Sequence, residues 1–579
     1  MSAIRQLLTD HIDIWTAADT EKKSGRGRSS GNAGSVYGIK KLRELILELA
    51  VRGKLVPQDE NDEPASELLK RIAAEKAKLI AEGKIKKSKP LAEITDYEKP
   101  FELPKGWEWT TLISITLINP RNNVEDDLPA SFVPMTLIGT GFNSLHDQET
   151  RLWKEIKQGF THFAEGDVGV AKITPCFENS KACVFSGLIN QVGAGTTELH
   201  IIRPINMTLS PRYILAYVKS PQFLLIGESK MTGTAGQKRL PKDFVESNPF
   251  PLPPLAEQHR IVAKVDELMA LCDQLENQHN NAAEAHDKLV THLLGTLTQS
   301  QNAEDFNTYW QRISEHFNTL FTTEASIDAL KQTLLQLAVM GKLVTQDPND
   351  EPASELLKRI QAEKAKLFAE GKIKKDKPLA EITEEEKPFE LPDGWEWVLF
   401  EQILSYKQGL QVGTENQFLK NETGATRYLR ITDFRNDDEI RYIKDSSQDV
   451  YCNEIDLLMI RYGGTAGEIV SGKKGIYHNN MFRIDYDQKL LDRKYLWNYL
   501  ALPSIRNELD GGSTSSTMPQ ISHKVMNKIK LPLAPIEEQQ RIVTKVDELM
   551  AICDQLKSRL TEANQLQQKL ADVVIMQVI

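Results

Sequence analysis

Residues Leu49 to Trp109 read LAVRGKLVPQDENDEPASELLKRIAAEKAKLIAEGKIKKSKPLAEITDYEKPFELPKGWEW, and Leu337 to Trp397 repeat them without a gap, 288 positions later, at 52 of 61 residues. A second repeat pairs EQHRIVAKVDELMALCDQL (Glu257 to Leu275) with EQQRIVTKVDELMAICDQL (Glu538 to Leu556), 281 positions apart and identical at 16 of 19 residues. Twice 288 nearly exhausts the 579 residues, so the chain reads as two tandem copies. Between the repeats lie two middle stretches, 110–255 and 398–536, that hardly resemble each other. The offset falling from 288 to 281 makes the second shorter by seven residues. Near-identical flanks around divergent middles describe one frame, used twice, carrying two inserts that do different versions of one job.

The frame reads as helical. Ile261, Val265, Leu268, Cys272, Leu275, Ala282, Leu289 and Leu293 fall at alternating steps of four and three, with His279 and His286 at the remaining seam positions. Ile542, Val546, Leu549, Cys553, Leu556, Leu560, Ala563, Leu570 and Val574 repeat the pattern, Gln567 being the one polar member. A period of 3.5 asks for partner helices. Ile39, Leu42, Ile46, Leu49 and Ile327, Leu330, Leu334, Leu337 supply them, with Gly53 and Gly341 as C-terminal stops. Amphipathic helices are expected over Ser66 to Glu82 and Ser354 to Glu370, each behind Asp-Glu-Pro. Each seam of about 33 residues predicts a rod of roughly 50 Å, and the two rods are expected to pack antiparallel and hold the inserts apart. The same stripes would serve an ordinary bundle; the duplication favours a spacer. Thr20 to Gly38 is Gly/Ser-rich and basic, as a linker would be.

Composition bounds the function. With 71 Lys and Arg against 81 Asp and Glu, the net charge of −10 argues against nucleic acid only if it is spread evenly. It is not: Arg151 to Lys242 carry 12 bases against 6 acids, and Ala256 to Ser300 carry 3 against 7. Local fields, not totals, attract phosphates. The second insert has clusters at Arg427, Arg430 and Arg435, at Lys473 and Lys474, and at Lys524, Lys528 and Lys530. Five cysteines without a CxxC or a Cys/His cluster fit a reduced, cytoplasmic setting and no structural zinc. No apolar run approaches a membrane span, and MSAIRQLLTDHIDIW lacks a signal-peptide pattern.

Both inserts read as short strands and loops. In each, an acid is followed five residues later by a base, Asp167 with Lys172 and Asp456 with Arg461, and then by a polar turn. Five steps along a strand put the two on opposite faces, so they are not a simple pair. Small polar loops, Thr232 to Pro241 and Gly511 to Gln520, stand near each insert's end. Such loops follow a DNA backbone or reach a base edge through Gln, Lys and Arg, or merely connect.

The closing segments PLPPLAEQHRIV (Pro251 to Val262) and LPLAPIEEQQRIV (Leu531 to Val543), each behind a variable insert, make the chain resemble the specificity subunits of type I restriction–modification systems. The resemblance covers nearly everything beyond the first 38 residues. It implies an α+β chain with two mixed α/β target-recognition domains separated by long antiparallel coiled-coil helices, under an internal pseudo-two-fold repeat. The expected segments are 1–38, an N-terminal helix and linker; 39–109, the first helical repeat; 110–255, the first target-recognition domain; 256–397, a central helical spacer; 398–536, the second target-recognition domain; and 537–579, a C-terminal helix. It further implies that each domain reads half of a split site on double-stranded DNA, while the helices set the spacing and dock two modification subunits. Those subunits methylate adenine from S-adenosylmethionine, restriction/translocase subunits add ATP and magnesium, and this chain holds no cofactor and no catalytic residue. Different inserts imply an asymmetric site.

The candidate DNA contacts are Lys154, Lys157, Lys172, Lys181, Lys238 and Arg239 in the first insert, and Arg427, Arg430, Arg461, Lys473, Lys474 and Lys524 in the second. Two other classes stand beside this reading. Glu155-Ile156-Lys157 with Asp126 or Asp127 faintly suggests a nuclease, and Asn248-Pro249-Phe250-Pro251 has a methyltransferase loop's letters in the wrong order. No P-loop is present. A coiled-coil scaffold binding only proteins is the third class.

Overall fold

The computed structural model describes residues 12–17, 36–85, 94–143, 146–205, 208–234, 236–371, 382–444, 450–488, 490–511 and 520–578. Most of the predicted linker and of the loop Gly511 to Gln520 lies outside them. Two compact units divide the chain, one of residues 1–283 and 562–579, the other of 284–561.

In the first unit the helix Tyr37–Val51 buries Ile39, Leu42, Ile46 and Leu49 with Ile261, Val265, Leu268 and Cys272 of the long helix Leu255–Thr298. Arg43 reaches Asp273 and Glu276, each at 2.7 Å, while Gln58 further along meets Glu257 at 3.1 Å, so the two run antiparallel. In the second unit Glu324–Val339 packs likewise on Ile536–Val578, with Lys557 on Asp328 at 2.9 Å, Lys331 on Asp554, and Gln346 on Glu538 at 2.9 Å. Amphipathic helices follow at Ala65–Ala81 and Ala353–Ala369, as expected.

The long seams depart from expectation in their second halves. Leu289 is 49% exposed and Leu570 is 42% exposed; Val290, Leu294, Leu297 and Ala571 are buried instead. From Cys272 to Val290, and from Cys553 to Ala571, is 18 residues, five turns of a 3.6-residue helix. A 3.5-residue reading drifts about 20° per heptad from a straight helix, and over this length it selects the neighbouring position.

Each insert is two four-stranded sheets plus a ribbon. In the first, β1 (Glu108–Thr111), β2 (Thr116–Ile118), β3 (Pro129–Val133), β4 (Glu149–Leu152), β5 (Thr161–Ala164), β6 (Val168–Ala171), β7 (Ala182–Val184), β8 (Val192–Gly195), β9 (Leu199–Pro204) and β10 (Pro249–Leu252) form sheets β2-β9-β6-β7 and β4-β3-β8-β5. In the second, β11 (Glu396–Leu399), β12 (Ser405–Gln408), β13 (Thr426–Leu429), β14 (Arg441–Ile443), β15 (Tyr451–Cys452), β16 (Leu457–Ile460), β17 (Ile469–Ser471), β18 (Gly475–Tyr477), β19 (Met481–Asp485) and β20 (Lys530–Leu533) form β12-β19-β16-β17 and β14-β13-β18-β15. The orders correspond strand for strand, including one parallel pair each, β3 with β8 and β13 with β18.

The ribbons β1-β10 and β11-β20 zip the entry of each insert to its exit. A tyrosine pair four residues apart then bolts a helix of the insert to the exit strand. Tyr213 and Tyr217 donate to the carbonyls of Pro251 (2.9 Å) and Pro249 (2.8 Å). Tyr495 and Tyr499 do the same to Pro532 and Lys530.

Candidate nucleic-acid interface

In the first insert the turn leaving β6 and the polar loop near the insert's end are stitched together. Lys172 N–H donates to the Glu198 carbonyl at 3.0 Å, and its own carbonyl accepts from Leu240 N–H at 2.7 Å. Thr174 and Lys238 bond reciprocally, both at 3.1 Å, through the Lys238 carbonyl and the Thr174 hydroxyl. Three of the candidates, Lys172, Lys238 and Arg239, therefore share one rim. Lys238 is exposed and Lys172 half-buried, while Arg239 makes a fork to Glu198 at 2.9 and 3.0 Å that holds this carboxyl below its ordinary range.

Lys181 sits at the end of the same turn and donates to the Met135 carbonyl at 3.0 Å. Lys219, absent from the candidates, supports that turn from beneath. It is 4% exposed, and its ammonium donates to the carbonyls of Ser180 (2.7 Å) and Thr140 (3.0 Å). Burial pushes it down to about 8. Lys154 and Lys157 belong to a separate place, a short helix Trp153–Ile156 and its end, where they pair with Asp127 (2.8 Å) and Asp126 (2.6 Å).

The second insert repeats the stitch. The Arg461 carbonyl, just beyond β16, accepts from Ile521 N–H at 3.0 Å, and Gln520 donates to the Tyr462 hydroxyl at 2.9 Å. Arg461 occupies the place of Lys172 but is only 8% exposed. Its guanidinium lies 3.3 Å from the carbonyls of Ile521 and Asn479, so it braces this rim from inside. Lys524, on the short helix His523–Met526, is exposed beside it.

Arg427, Arg430 and Lys473 meet on the other sheet. Asp437 accepts from Arg427 (2.5 Å) and Lys473 (3.1 Å), and Glu439 from Arg430 (3.1 Å) and Arg441 (2.7 Å). Hydrogen bonds from Lys473 and Arg427 lower the Asp437 carboxyl, as those from Arg430 and Arg441 lower Glu439. Both acids are about half exposed, so these pairs hold the cations in place weakly, while buried Asp433 pairs with Arg430 as well, at 3.3 Å. Lys474, next in sequence, is exposed.

The acids of the five-residue pattern do other work. Asp167 is 1% exposed and salt-bridged to Arg203 at 2.7 Å, yet burial leaves its carboxyl raised. Asp456 accepts from Asn453 N–H at 2.7 Å. Among the described residues no group of three acids, histidines or cysteines is arranged to hold a metal, and no helix is long and apolar enough to cross a membrane. Asp126 is engaged by Lys157, the lysine of the Glu-Ile-Lys triplet, and Asn248 to Pro251 lead into and form β10. Sequence reading passed over Arg441, Lys219 and both tyrosine pairs. Tyr-x-x-x-Tyr at Tyr213 and again at Tyr495, 282 positions on, was the available signal for the last.

A family model described as the type I restriction modification DNA specificity domain matches residues 126–285 and 392–567. The chain is 52% identical over 586 residues to the type I restriction enzyme EcoAI specificity subunit of Escherichia coli, covering 99% of both. It is 50% identical over 589 residues to the EcoEI specificity subunit of the same species, again covering 99% of both. Among solved structures, a chain from a study of complex assembly and conformational transition of the type I R-M system matches with a TM-score of 0.53 at 18% identity, over 83% of this chain and 99% of that one. With the family model on both inserts and full-length relatives at 50% and 52% identity, this chain belongs to the specificity subunits of type I restriction–modification systems.

Proposed function

We propose that the two inserts, with limits near 110–255 and 398–536, each read one half of an asymmetric split site on double-stranded DNA. The observation that carries this is the strand-for-strand correspondence of two inserts that share almost no sequence, both mounted on one duplicated frame. A common architecture with divergent rims is what two readers of different half-sites require. Lys172, Lys238, Lys474 and Lys524 are the phosphate contacts free to act at once; Arg239, Arg427, Arg430, Lys473, Lys154 and Lys157 act by exchanging a carboxylate for phosphate. Arg461 and Lys181 act as braces of the rims.

The frame docks two copies of one modification subunit. Supporting this, exposed Glu67, Lys70, Arg71 and Lys78 recur unchanged as exposed Glu355, Lys358, Arg359 and Lys366, where packing imposes no identity. The chain is a non-catalytic subunit of a cytoplasmic complex, and S-adenosylmethionine, ATP and magnesium belong to the modification and restriction/translocase partners. The test is co-expression with a modification subunit and mapping of adenine methylation on random DNA. A split asymmetric motif is expected; palindromic or scattered methylation refutes two readers. Replacing Val398 to Pro535 by another such insert should change one half of the motif only.

A further inference from the structure

The dipeptide Glu-Gln that opens each long helix is buried in both units, at 1% and 0% exposure in each. Glu257 accepts from the Trp107 indole at 2.9 Å and from Gln58 at 3.1 Å; Glu538 accepts from Trp395 and Gln346, both at 2.9 Å. Gln258 accepts from Ser210 N–H at 2.9 Å and donates to the Pro253 carbonyl at 3.1 Å. Gln539 accepts from Asp492 N–H and donates to the Ala534 carbonyl, both at 2.9 Å.

Beside the loops of Gln58 and Gln346, three further chain segments converge on the two side chains of each pair. Trp107 and Trp395 stand at the insert's entry, Pro253 and Ala534 at its exit, and Ser210 and Asp492 at the start of the helix carrying the tyrosine pair. Gly53 and Gly341 make room beneath, since a Cβ there would lie 2.9 and 3.0 Å from the two indoles. Burial raises both glutamate carboxyls, a cost that a surface cap would not incur.

We infer that this Glu-Gln pair is the positioning device that fixes the angle of each reader on its helix, and through that angle the gap between half-sites the subunit accepts. This rests on the two-reader function proposed above. On the insert side the glutamine bonds only main-chain atoms, so it holds any insert whatever its sequence. Adding one base pair moves a half-site by about 3.4 Å along the DNA and turns it by roughly 35°. Discriminating such a step requires each reader to be held to within about a hydrogen bond's length.

The test uses the full chain assembled with its modification subunits and a DNA panel whose gap is one base pair shorter, native or one longer. Gln258→Met and Gln539→Met keep the volume and delete both bonds. Each should reduce the preference for the native gap about tenfold while leaving base preferences within both halves unchanged. Gln258→Glu, which keeps the acceptor for Ser210, should fall between. Trp107→Phe, a milder change, reads the same ratio should Gln258→Met not assemble. An unchanged gap preference in the assembled variants, or altered base preference within a half, overturns the inference. A wild-type complex without a split site would instead overturn the two-reader function.

Discussion

The first insert packs its two sheets around a stacked pair of phenylalanines, and the second packs the same two sheets without such a stack. Phe163 and Phe185 stack at 3.6 Å between centroids, 3° from parallel, and glycines clear the space for them. A Cβ on Gly193 would lie 2.3 Å from Phe163, and one on Gly169 would lie 2.7 Å from Phe185. At the corresponding place in the second insert Leu458 stands in β16, and Tyr428, Tyr477 and Met481 fill the volume. Beneath the rims they differ again: Lys219 follows the helix Pro211–Val218, whereas Ala501 follows Arg493–Leu500. Strand order therefore tolerates two unrelated solutions to its core, because main-chain pairing, the ribbons and the tyrosine pairs specify it. The side chains are left to be solved separately.

The largest effect should come from Phe185→Ala, which empties half of a buried stack and should cost about 3–5 kcal/mol. Hydrogen exchange on the full chain should place the loss in 161–201 and leave 451–484 protected; loss in both would end the claim that the cores are independent. Next, Gly193→Ala should cost about 1–3 kcal/mol by overpacking against Phe163 and the Ser131 carbonyl. Phe163→Leu on that background should recover part of it by thermal melting, and no recovery would mean that the backbone contact dominates.

Lys219 gives the first insert a pH dependence that Ala501 denies the second. Its folded value near 8 lies below the ordinary 10.5. Between these the unfolded chain holds more protons, so stability rises with pH across that window and the gain is absent below it, at up to about 1.4 kcal/mol per unit. Protection in the first insert should climb from pH 8 to 9, below the range in which the raised thiol of Cys183 works the other way, and Lys219→Met should flatten the climb; a climb that persists would assign it elsewhere. Smallest, Lys238→Gln should leave melting unchanged and weaken binding to all DNA sequences alike, lowering the salt slope by about one. A change confined to one base position would make Lys238 a base reader.

Helices and repeat were legible because burial repeats at a fixed step. Ile261 to Cys272 and Ile542 to Cys553 lie where the pattern put them, and its 3.5-residue period misled further on, at Ala282, Leu289, Ala563 and Leu570, all exposed. Gly53 and Gly341 were readable as helix stops and do have φ of +66° and +68°. The pairing of β6's exit with the late polar loop was half visible. Both segments had been singled out, but nothing in sequence says that residues 64 and 68 positions apart form main-chain bridges. Whether a cation is free was not legible at all. Arg461 and Lys524 look equally available as letters, yet one is spent on carbonyl oxygens and the other is exposed.

The ribbons β1-β10 and β11-β20 have a mechanical meaning. Where a chain leaves a scaffold and returns beside its own point of departure, the scaffold never measures how much chain lies between. Lengthening the excursion costs only the slowly growing entropy of closing a larger loop. The seven residues by which the two inserts differ are for that reason invisible to the helices that carry them. A longer excursion with wholly new contents would leave the struts where they are.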